Sequence, residues 1–155
     1  MYRLPTESEW EYACRAGTTT AFYFGSAIRE GMANFYTYYE YDAAVGNITT
    51  NTVGVGVIGQ TSPVGNYGAN PFGLYDMCGN VWEWCQDWYG TYPTGTSSAP
   101  AIDPVGPLSG SYRVLRGGSW YFGGGYCRSA DRGILTPDFR DLNIGFRPVL
   151  APGQP

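Results

Sequence analysis

The residues with the clearest chemical potential are the carboxylates of Asp76 and Glu83, in a short stretch crowded with tryptophan and cysteine. If residues 81–86 form a strand, alternation gives both of its faces bulky apolar groups and places Glu83 among them. Such a strand is expected to be covered on both sides, so Glu83 becomes buried. A buried carboxylate must be paired, protonated or bound to a metal ion. This stretch is therefore the first candidate site.

Thiol and imidazole chemistry is limited by the composition. The chain has no histidine, which removes the usual general base and the commonest transition-metal ligand. Its four cysteines, Cys14, Cys78, Cys85 and Cys127, are spaced too irregularly for a zinc site. They are compatible with two disulfides in an oxidising compartment, but buried free thiols are the prediction that we favour.

The composition as a whole favours one domain of short strands, turns and loops. The 155 residues include 23 glycines, 11 prolines and 14 tyrosines, and lysine is absent. The net charge of −4 argues against a nucleic-acid partner, because phosphate binding needs a basic surface. No apolar run is long enough to span a bilayer and no charged-then-apolar leader precedes Arg3, so a cytoplasmic location is the default expectation. We expect one domain over residues 1–150 and a tail over residues 151–155.

A helix is the most clearly patterned element in the sequence. Thr6 and Glu9 form a capping box, and Gly17 suits the left-handed position that ends a helix. Trp10 and Cys14 share one face, so a helix over residues 6–16 is predicted to pack inward.

The remaining elements are predicted to be short strands between irregular stretches. Residues 18–45 are aromatic and irregular, whereas residues 89–111 form a surface excursion. Besides residues 81–86, the predicted strands are residues 113–116, stopped by two glycines, and residues 127–132 and 143–149.

Several stretches together resemble the formylglycine-generating enzyme, or sulfatase-modifying factor, family. The matching motifs occur in family order at residues 3–13, 72–76, 79–84, 113–120 and 145–147. The resemblance implies an α+β fold of the C-type-lectin-like kind, with short twisted antiparallel sheets, one or two helices and much ordered loop. Family domains usually carry a longer portion before the Arg-Leu-Pro-Thr-Glu motif. We therefore expect a fragment, or a member shortened at its N-terminus.

The resemblance implies copper chemistry only if two thiols are matched. The family's enzymes oxidise a substrate cysteine to formylglycine with copper held by two active-site cysteines. Those thiols lie between the Gly-Gly-Ser-aromatic motif and the next arginine-rich strand, where this chain has Cys127 alone. One thiol cannot supply the pair that selects Cu(I). We therefore expect a non-catalytic member without copper, with the copper-dependent oxidase and a regulatory module of the family as alternatives.

The resemblance also implies a calcium site at the turn before the Trp-Glu-Trp strand. The family turn binds Ca²⁺ through side-chain and backbone oxygens, and the matching positions are Asp76, Gly79, Val81 and Glu83. Two carboxylates and the carbonyls of a tight turn are the hard oxygen ligands that calcium prefers. The alternative is that Asp76 and Glu83 pair with arginines from the C-terminal half.

Between the framework motifs of the last third lie residues that are apolar where a loop is normally polar. Exposed Tyr, Phe, Ile and Leu side chains predict a contact patch, since monomers seldom leave such a surface uncovered. We predict a surface that binds a protein or other macromolecule, formed by Trp120, Tyr121, Phe122, Gly124, Tyr126, Asp131, Gly133, Ile134, Leu135, Asp141, Leu142 and Asn143. Arg116, Arg128 and Arg147 are expected to hold the frame around it.

This arrangement resembles the ligand-binding variable proteins of diversity-generating retroelements, which use the same fold. Their C-terminal segment is rewritten at adenines, mostly in asparagine-type codons that cannot become Lys, Glu, Gln, Met or Trp. None of those five residue types occurs in residues 121–143. The resemblance implies a hypervariable surface on a non-catalytic scaffold, and an ordinary non-catalytic member with neutral loops is the alternative.

Overall fold

The computed structural model describes residues 1–49, 59–94 and 101–151, which form an α+β fold. The helical elements are α1 (Glu7–Arg15) and a 3₁₀ helix (Gly124–Cys127). The strands are β1 (Tyr2–Arg3), β2 (Ala27–Ile28), β3 (Tyr39–Asp42), β4 (Gly46–Thr49), β5 (Trp82–Trp88), β6 (Arg113–Arg116), β7 (Gly133–Leu135), β8 (Ile144–Gly145) and β9 (Val149–Leu150). Within these described ranges, neither helix has the length and apolar character needed to cross a membrane.

Three sheets are formed in the described part of the chain. β1 pairs with β9, which brings residues near the two ends together, and Ala151 donates a backbone hydrogen bond to Met1. β2, β3 and β4 form a second antiparallel sheet, and the largest sheet has the order β7-β6-β5-β8. The predicted fold class is confirmed, with one exception in detail, because β8 pairs with β5 in the parallel direction.

Helix α1 confirms the predicted capping box. The Thr6 hydroxyl accepts the Glu9 N–H at 3.1 Å, and the Glu9 carboxylate accepts the Thr6 N–H at 2.8 Å. The Arg3 guanidinium, 2.6 Å from the same carboxylate, holds the pKa of Glu9 at about 2. The helix ends at Arg15, and the left-handed conformation begins at Ala16 (φ 46°) and continues at Gly17 (φ 89°). The predicted end was therefore one residue late.

The core joins the inner face of α1 and the strands β5 and β6 to buried residues of β2 and of the loops, such as Ile28, Phe22 and Met77. Trp10 and Cys14 on that face are buried, as is Val114 on β6. On β5, Glu83, Cys85 and Asp87 are all buried on one face. All four cysteines are free and buried, which confirms the prediction of buried free thiols.

The strand predicted over residues 127–132 is wrong. The chain turns at this point instead, since Asp131 N donates to Arg128 O at 3.0 Å and the two side chains form an ion pair at 2.8 Å. The Ser129 amide, which a strand would offer to a neighbouring strand, donates to Ala21 O at 2.8 Å. The next strand is β7, which begins at Gly133.

The strand predicted over residues 143–149 is divided into β8 and β9. Pro148, between the two strands, has no amide hydrogen to donate to a ladder. β2 and β3 lie within residues 18–45, where the sequence predicted irregular structure. The tail predicted over residues 151–155 lies outside the described residues except for Ala151.

Candidate ligand-binding surface

The loop that follows β6 is fixed at its start by two glycines. Gly117 and Gly118 have φ values of 97° and 74°, in the left-handed region that favours glycine. A Cβ atom at Gly118 would lie 2.7 Å from the Cys127 sulfur, so the 3₁₀ helix packs directly against this backbone. Trp120 N donates to Asn80 O at 3.0 Å, which ties the loop to the turn before β5.

A second segment, which the sequence analysis did not include, lies beside this loop. Tyr36 N donates to Phe122 O at 2.9 Å. A Cβ atom at Gly123 would lie 2.7 Å from the Tyr39 Cβ atom, so the two backbones approach as closely as a glycine allows. The only sign of this segment in the sequence is the tyrosine-rich stretch of residues 36–41. Its contact with a loop some 80 residues away could not be predicted, because no local pattern joins the two.

Within each of the two segments, the aromatic rings contact one another in an edge-to-face or tilted manner. The ring centroids of Tyr121 lie 5.4 Å from Trp120 and 5.7 Å from Phe122. The Phe122 and Tyr126 rings are 5.2 Å apart. In the other segment, Tyr36 and Tyr39 are 5.8 Å apart. Such arrangements suit the ring quadrupoles and stabilise each ring's orientation.

Two adjoining cavities open on this surface. We call the first the aromatic cleft; its volume is about 500 Å³ and it is lined by Tyr36, Tyr39, Gly59, Trp120, Tyr121, Phe122, Gly123 and Tyr126. We call the second the sheet-edge groove; its volume is about 310 Å³ and it is lined by Trp82, Leu115, Phe122, Tyr126, Arg132, Gly133, Ile134, Leu135, Phe139, Asp141, Asn143 and Ile144. The shared rings of Phe122 and Tyr126 separate the two.

Most residues of the predicted ligand-binding set line one of these cavities. Those that line the aromatic cleft are Trp120, Tyr121, Phe122 and Tyr126. Those that line the sheet-edge groove are Phe122, Tyr126, Gly133, Ile134, Leu135, Asp141 and Asn143. The structure adds residues that the prediction lacked, namely Tyr36, Tyr39, Gly59, Trp82, Leu115, Gly123, Arg132, Phe139 and Ile144.

Three residues of the predicted set lie elsewhere. Gly124 is buried, and a Cβ atom there would lie 2.4 Å from Ile28 Cγ2. Asp131 is paired with Arg128, and burial raises the pKa of its carboxyl against the influence of that guanidinium. Leu142 is 81% exposed and lines neither cavity. The ligand-binding role of every residue in the set stays a prediction.

Buried and half-buried ion pairs join the elements that carry this surface, and we call Glu7, Glu11, Glu83, Arg116, Arg132 and Arg147 the ion-pair frame. Arg116 has no exposed side-chain surface; its Nε atom lies 3.3 Å from Glu7, and its Nη2 atom contacts Glu11. Arg132 donates to the same Glu7 carboxylate through two bonds of 2.7 Å. Arg116 also donates to the carbonyls of Ser129 and Asp131, so the frame holds the turn that precedes β7.

The predicted calcium ligands lie together, but an arginine contacts the same oxygens. Asp76, Gly79, Val81 and Glu83 line one cleft of about 370 Å³, and Arg147 lines it too. Arg147 donates to the two Glu83 oxygens at 2.6 and 2.8 Å, and to Tyr75 O at 3.0 Å. The Trp10 indole donates to Glu83 at 2.6 Å.

The Glu83 carboxylate is therefore neutralised by arginine, as the alternative to calcium proposed. Asp76 accepts the Gly65 N–H at 2.7 Å and meets Arg147 only through its carbonyl. The four residues do not fit Ca²⁺ while the guanidinium holds both Glu83 oxygens. Calcium binding stays a prediction that requires displacement of Arg147.

The thiols lie in the core rather than on the ligand-binding surface. Cys14 and Cys78 contact each other, which lowers the pKa of Cys14 and raises that of Cys78. Burial raises the pKa of Cys127 and of Cys85. Thiols that resist ionisation are poor nucleophiles and poor metal ligands. In the described residues, no group of three or more cysteine or acidic side chains is arranged to hold a metal ion.

Among solved structures, the chain is similar to Treponema denticola variable protein 1, with a TM-score of 0.73 and 34% identity over 95% of this chain and 46% of that chain. It is also similar to PvdO from Pseudomonas aeruginosa, with a TM-score of 0.72 and 30% identity over 95% of this chain and 51% of that chain.

Proteins related in sequence also match most of this chain. The chain is 41% identical over 150 residues to a formylglycine-generating enzyme from Streptomyces coelicolor, covering 94% of this chain and 45% of that protein. It is 40% identical over 146 residues to the serine/threonine-protein kinase pkn1 of Chlamydia caviae, covering 94% of this chain and 20% of that protein. The chain thus spans about half of these relatives' length or less. The family model described as "Sulfatase-modifying factor enzyme 1-like domain" matches residues 1–152, and the chain belongs to that family.

Proposed function

We propose that this chain is a non-catalytic ligand-binding domain that displays a hypervariable C-terminal surface. The observation that carries the proposal is the convergence of the apolar residues between the framework motifs on two adjoining cavities. Exposed aromatic side chains in a concave surface are typical of binding sites, since they bury a large area at little cost in conformational entropy.

The arrangement of the framework supports variation at this surface. Arg116 and Arg147 pair with carboxylates from other elements, and neither ion pair involves Tyr121 or Ile134. Tyr121 is 64% exposed and Ile134 is 42% exposed. Positions that carry no core packing tolerate substitution, which is the physical condition for a diversified segment. The similarity to Treponema denticola variable protein 1 supports the same proposal.

The DNA beside the gene tests the hypervariable part of this proposal. We expect a near-copy of the segment that encodes residues 120–146, differing from it at adenines and lying beside a reverse-transcriptase gene. Sequencing of the locus in several isolates should then find substitutions confined to the positions that line the two cavities. Isolates with an invariant segment and no near-copy would overturn hypervariability and favour an ordinary binding member of the family.

The alternative is a copper-dependent oxidase that converts a peptide cysteine to formylglycine, which the identity to the Streptomyces coelicolor enzyme favours. The buried position and raised pKa of Cys127 count against it, because Cu(I) binds thiolates. Titration with Cu(I) in the presence of a competing chelator separates the two functions. Stoichiometric binding that is lost in Cys127→Ser would favour the oxidase, whereas equal and weak binding by both forms agrees with a non-catalytic domain.

A further inference from the structure

The aromatic cleft has an unusual lining. Its described lining residues are six aromatic residues and two glycines, and none carries a charge. Four of the six are tyrosines, and their rings are between 38% and 64% exposed. Its volume of about 500 Å³ is within the usual range for small-molecule sites, roughly 300–1,000 Å³.

Backbone contacts hold the cleft in shape. The hydrogen bond between Tyr36 N and Phe122 O joins its two walls at 2.9 Å, and Gly123 packs against Tyr39. Ring contacts on each side fix the orientation of the neighbouring rings. A preformed site avoids much of the ordering cost that binding would otherwise carry.

The lining consists of aromatic rings, which suit contact with a cation. Aromatic faces carry partial negative charge and attract ammonium groups, most strongly when the cation is poorly hydrated. The chain as a whole carries a net charge of −4, which favours the approach of a cation. Two arginines in the elements that carry the walls are already compensated, since Arg29 pairs with Glu40 and Asp42 and Arg128 pairs with Asp131. An anion would therefore meet no uncompensated charge from them.

We propose that the aromatic cleft binds a trimethylammonium group of the choline type. This inference rests on the proposed binding function and names the ligand chemistry for one of its two cavities. Methyl groups spread the positive charge over a large, weakly hydrated surface that several rings contact at once. Free choline and a choline lipid headgroup share this chemistry.

A direct test compares choline with its tert-butyl analogue, in which carbon replaces the nitrogen and removes the charge without changing the shape. Saturation-transfer NMR follows the methyl signals of the two probes in one sample of the full chain. We expect choline to bind at least about tenfold more tightly than the analogue, the scale of a partly desolvated cation–π contact. Tyr36→Leu and Tyr126→Leu should each weaken choline binding several-fold, because leucine keeps the apolar contact but removes the π face.

Tyr12→Leu is the matched control, because Tyr12 is 70% exposed on α1 and lies outside the cleft. It should leave choline binding unchanged. Sedimentation with phosphatidylcholine vesicles, compared with vesicles lacking choline, distinguishes the sources: co-sedimentation identifies the lipid headgroup, and binding of choline without it identifies the free compound.

Equal binding of choline and the analogue would overturn the cation inference and leave an apolar binding cleft, as the proposed function requires. Absence of binding by both probes would also overturn it. The proposed function would still be tested by sequencing the locus, and that result does not depend on choline.

Discussion

The ion-pair frame and the aromatic cleft are built from opposite kinds of contact, although Arg116 of the frame ends β6 and one wall of the cleft begins four residues later, at Trp120. In the frame, Arg116 is completely buried and meets carboxylates on α1, so each partner fixes another element. In the cleft, Tyr121 is 64% exposed and contacts the rings adjacent to it in sequence. Buried charges therefore fix the arrangement of the elements in this fold, whereas the exposed rings are free to take part in recognition.

The largest expected effect comes from breaking the frame at Arg116. Arg116→Gln removes the fully buried cation that joins Glu7 to Glu11 and leaves the Ser129 carbonyl without its donor, although Arg132 still bonds Glu7 and Arg15 still bonds Glu11. We expect the free energy of unfolding to fall by about 4 kcal/mol, the usual scale for removing one partner of a buried ion pair. Denaturant unfolding measures the loss.

Arg113→Gln is the matched control, because Arg113 lies on the same strand and has no carboxylate partner among the described residues. Its guanidinium stacks 3.6 Å from the centre of the Trp88 ring. That contact is expected to be worth about 1 kcal/mol. Equal losses in the two variants would show that the ion pairs do not hold the frame.

A smaller loss is expected at the second arm of the frame. Glu83→Gln leaves Arg147 without its carboxylate, although the Trp10 indole keeps an oxygen to bond. Because the Arg147 side chain is 25% exposed and partly solvated, we expect a loss of about 3 kcal/mol, at the low end for such pairs. Binding at the aromatic cleft should change only as a consequence of unfolding.

The effect of Ca²⁺ on the melting temperature tests the same ion pair between Arg147 and Glu83. Since Arg147 holds both Glu83 oxygens, we expect Ca²⁺ to leave the melting temperature of the natural chain unchanged. Arg147→Gln frees the carboxylate, so Ca²⁺ should raise the melting temperature of that variant, while Glu83→Gln should not respond. A rise in the natural chain would show that calcium displaces the guanidinium and that the predicted ligand set binds it.

The sequence predicted the elements that carry the frame, together with Arg116, Arg147 and the need of Glu83 for a partner, but not the pairing of Glu7, Glu11 and Arg132. Arg128, which was also expected in the frame, pairs with Asp131 instead. Helix α1 and strands β5 and β6 have local signals, namely the capping box at Thr6 and the alternation around Glu83. The family motifs supplied the fold that joins them. The need of the buried Glu83 for a partner followed from the residue types alone.

The sequence could not predict contacts that depend on distant backbone approach. Tyr36 and Tyr39 reach the cleft through the hydrogen bond to Phe122 and the close approach of Gly123, which no local pattern encodes. The wrong strand at residues 127–132 has a related cause. The turn there depends on Arg116, which bonds the carbonyls of Ser129 and Asp131 from another strand.

The smallest effect on stability is expected from removing two exposed rings of the cleft together. Tyr121→Ala with Tyr126→Ala truncates side chains that are 64% and 49% exposed, so each should cost about 0.5 kcal/mol or less. The melting temperature should therefore stay close to that of the natural chain while the saturation-transfer signal of choline is lost. Phe22→Ala is the matched aromatic control, and its fully buried ring should cost about 3–5 kcal/mol. If the tyrosine double variant instead unfolds as Phe22→Ala does, the rings belong to the core, and the division between a rigid frame and a free surface fails.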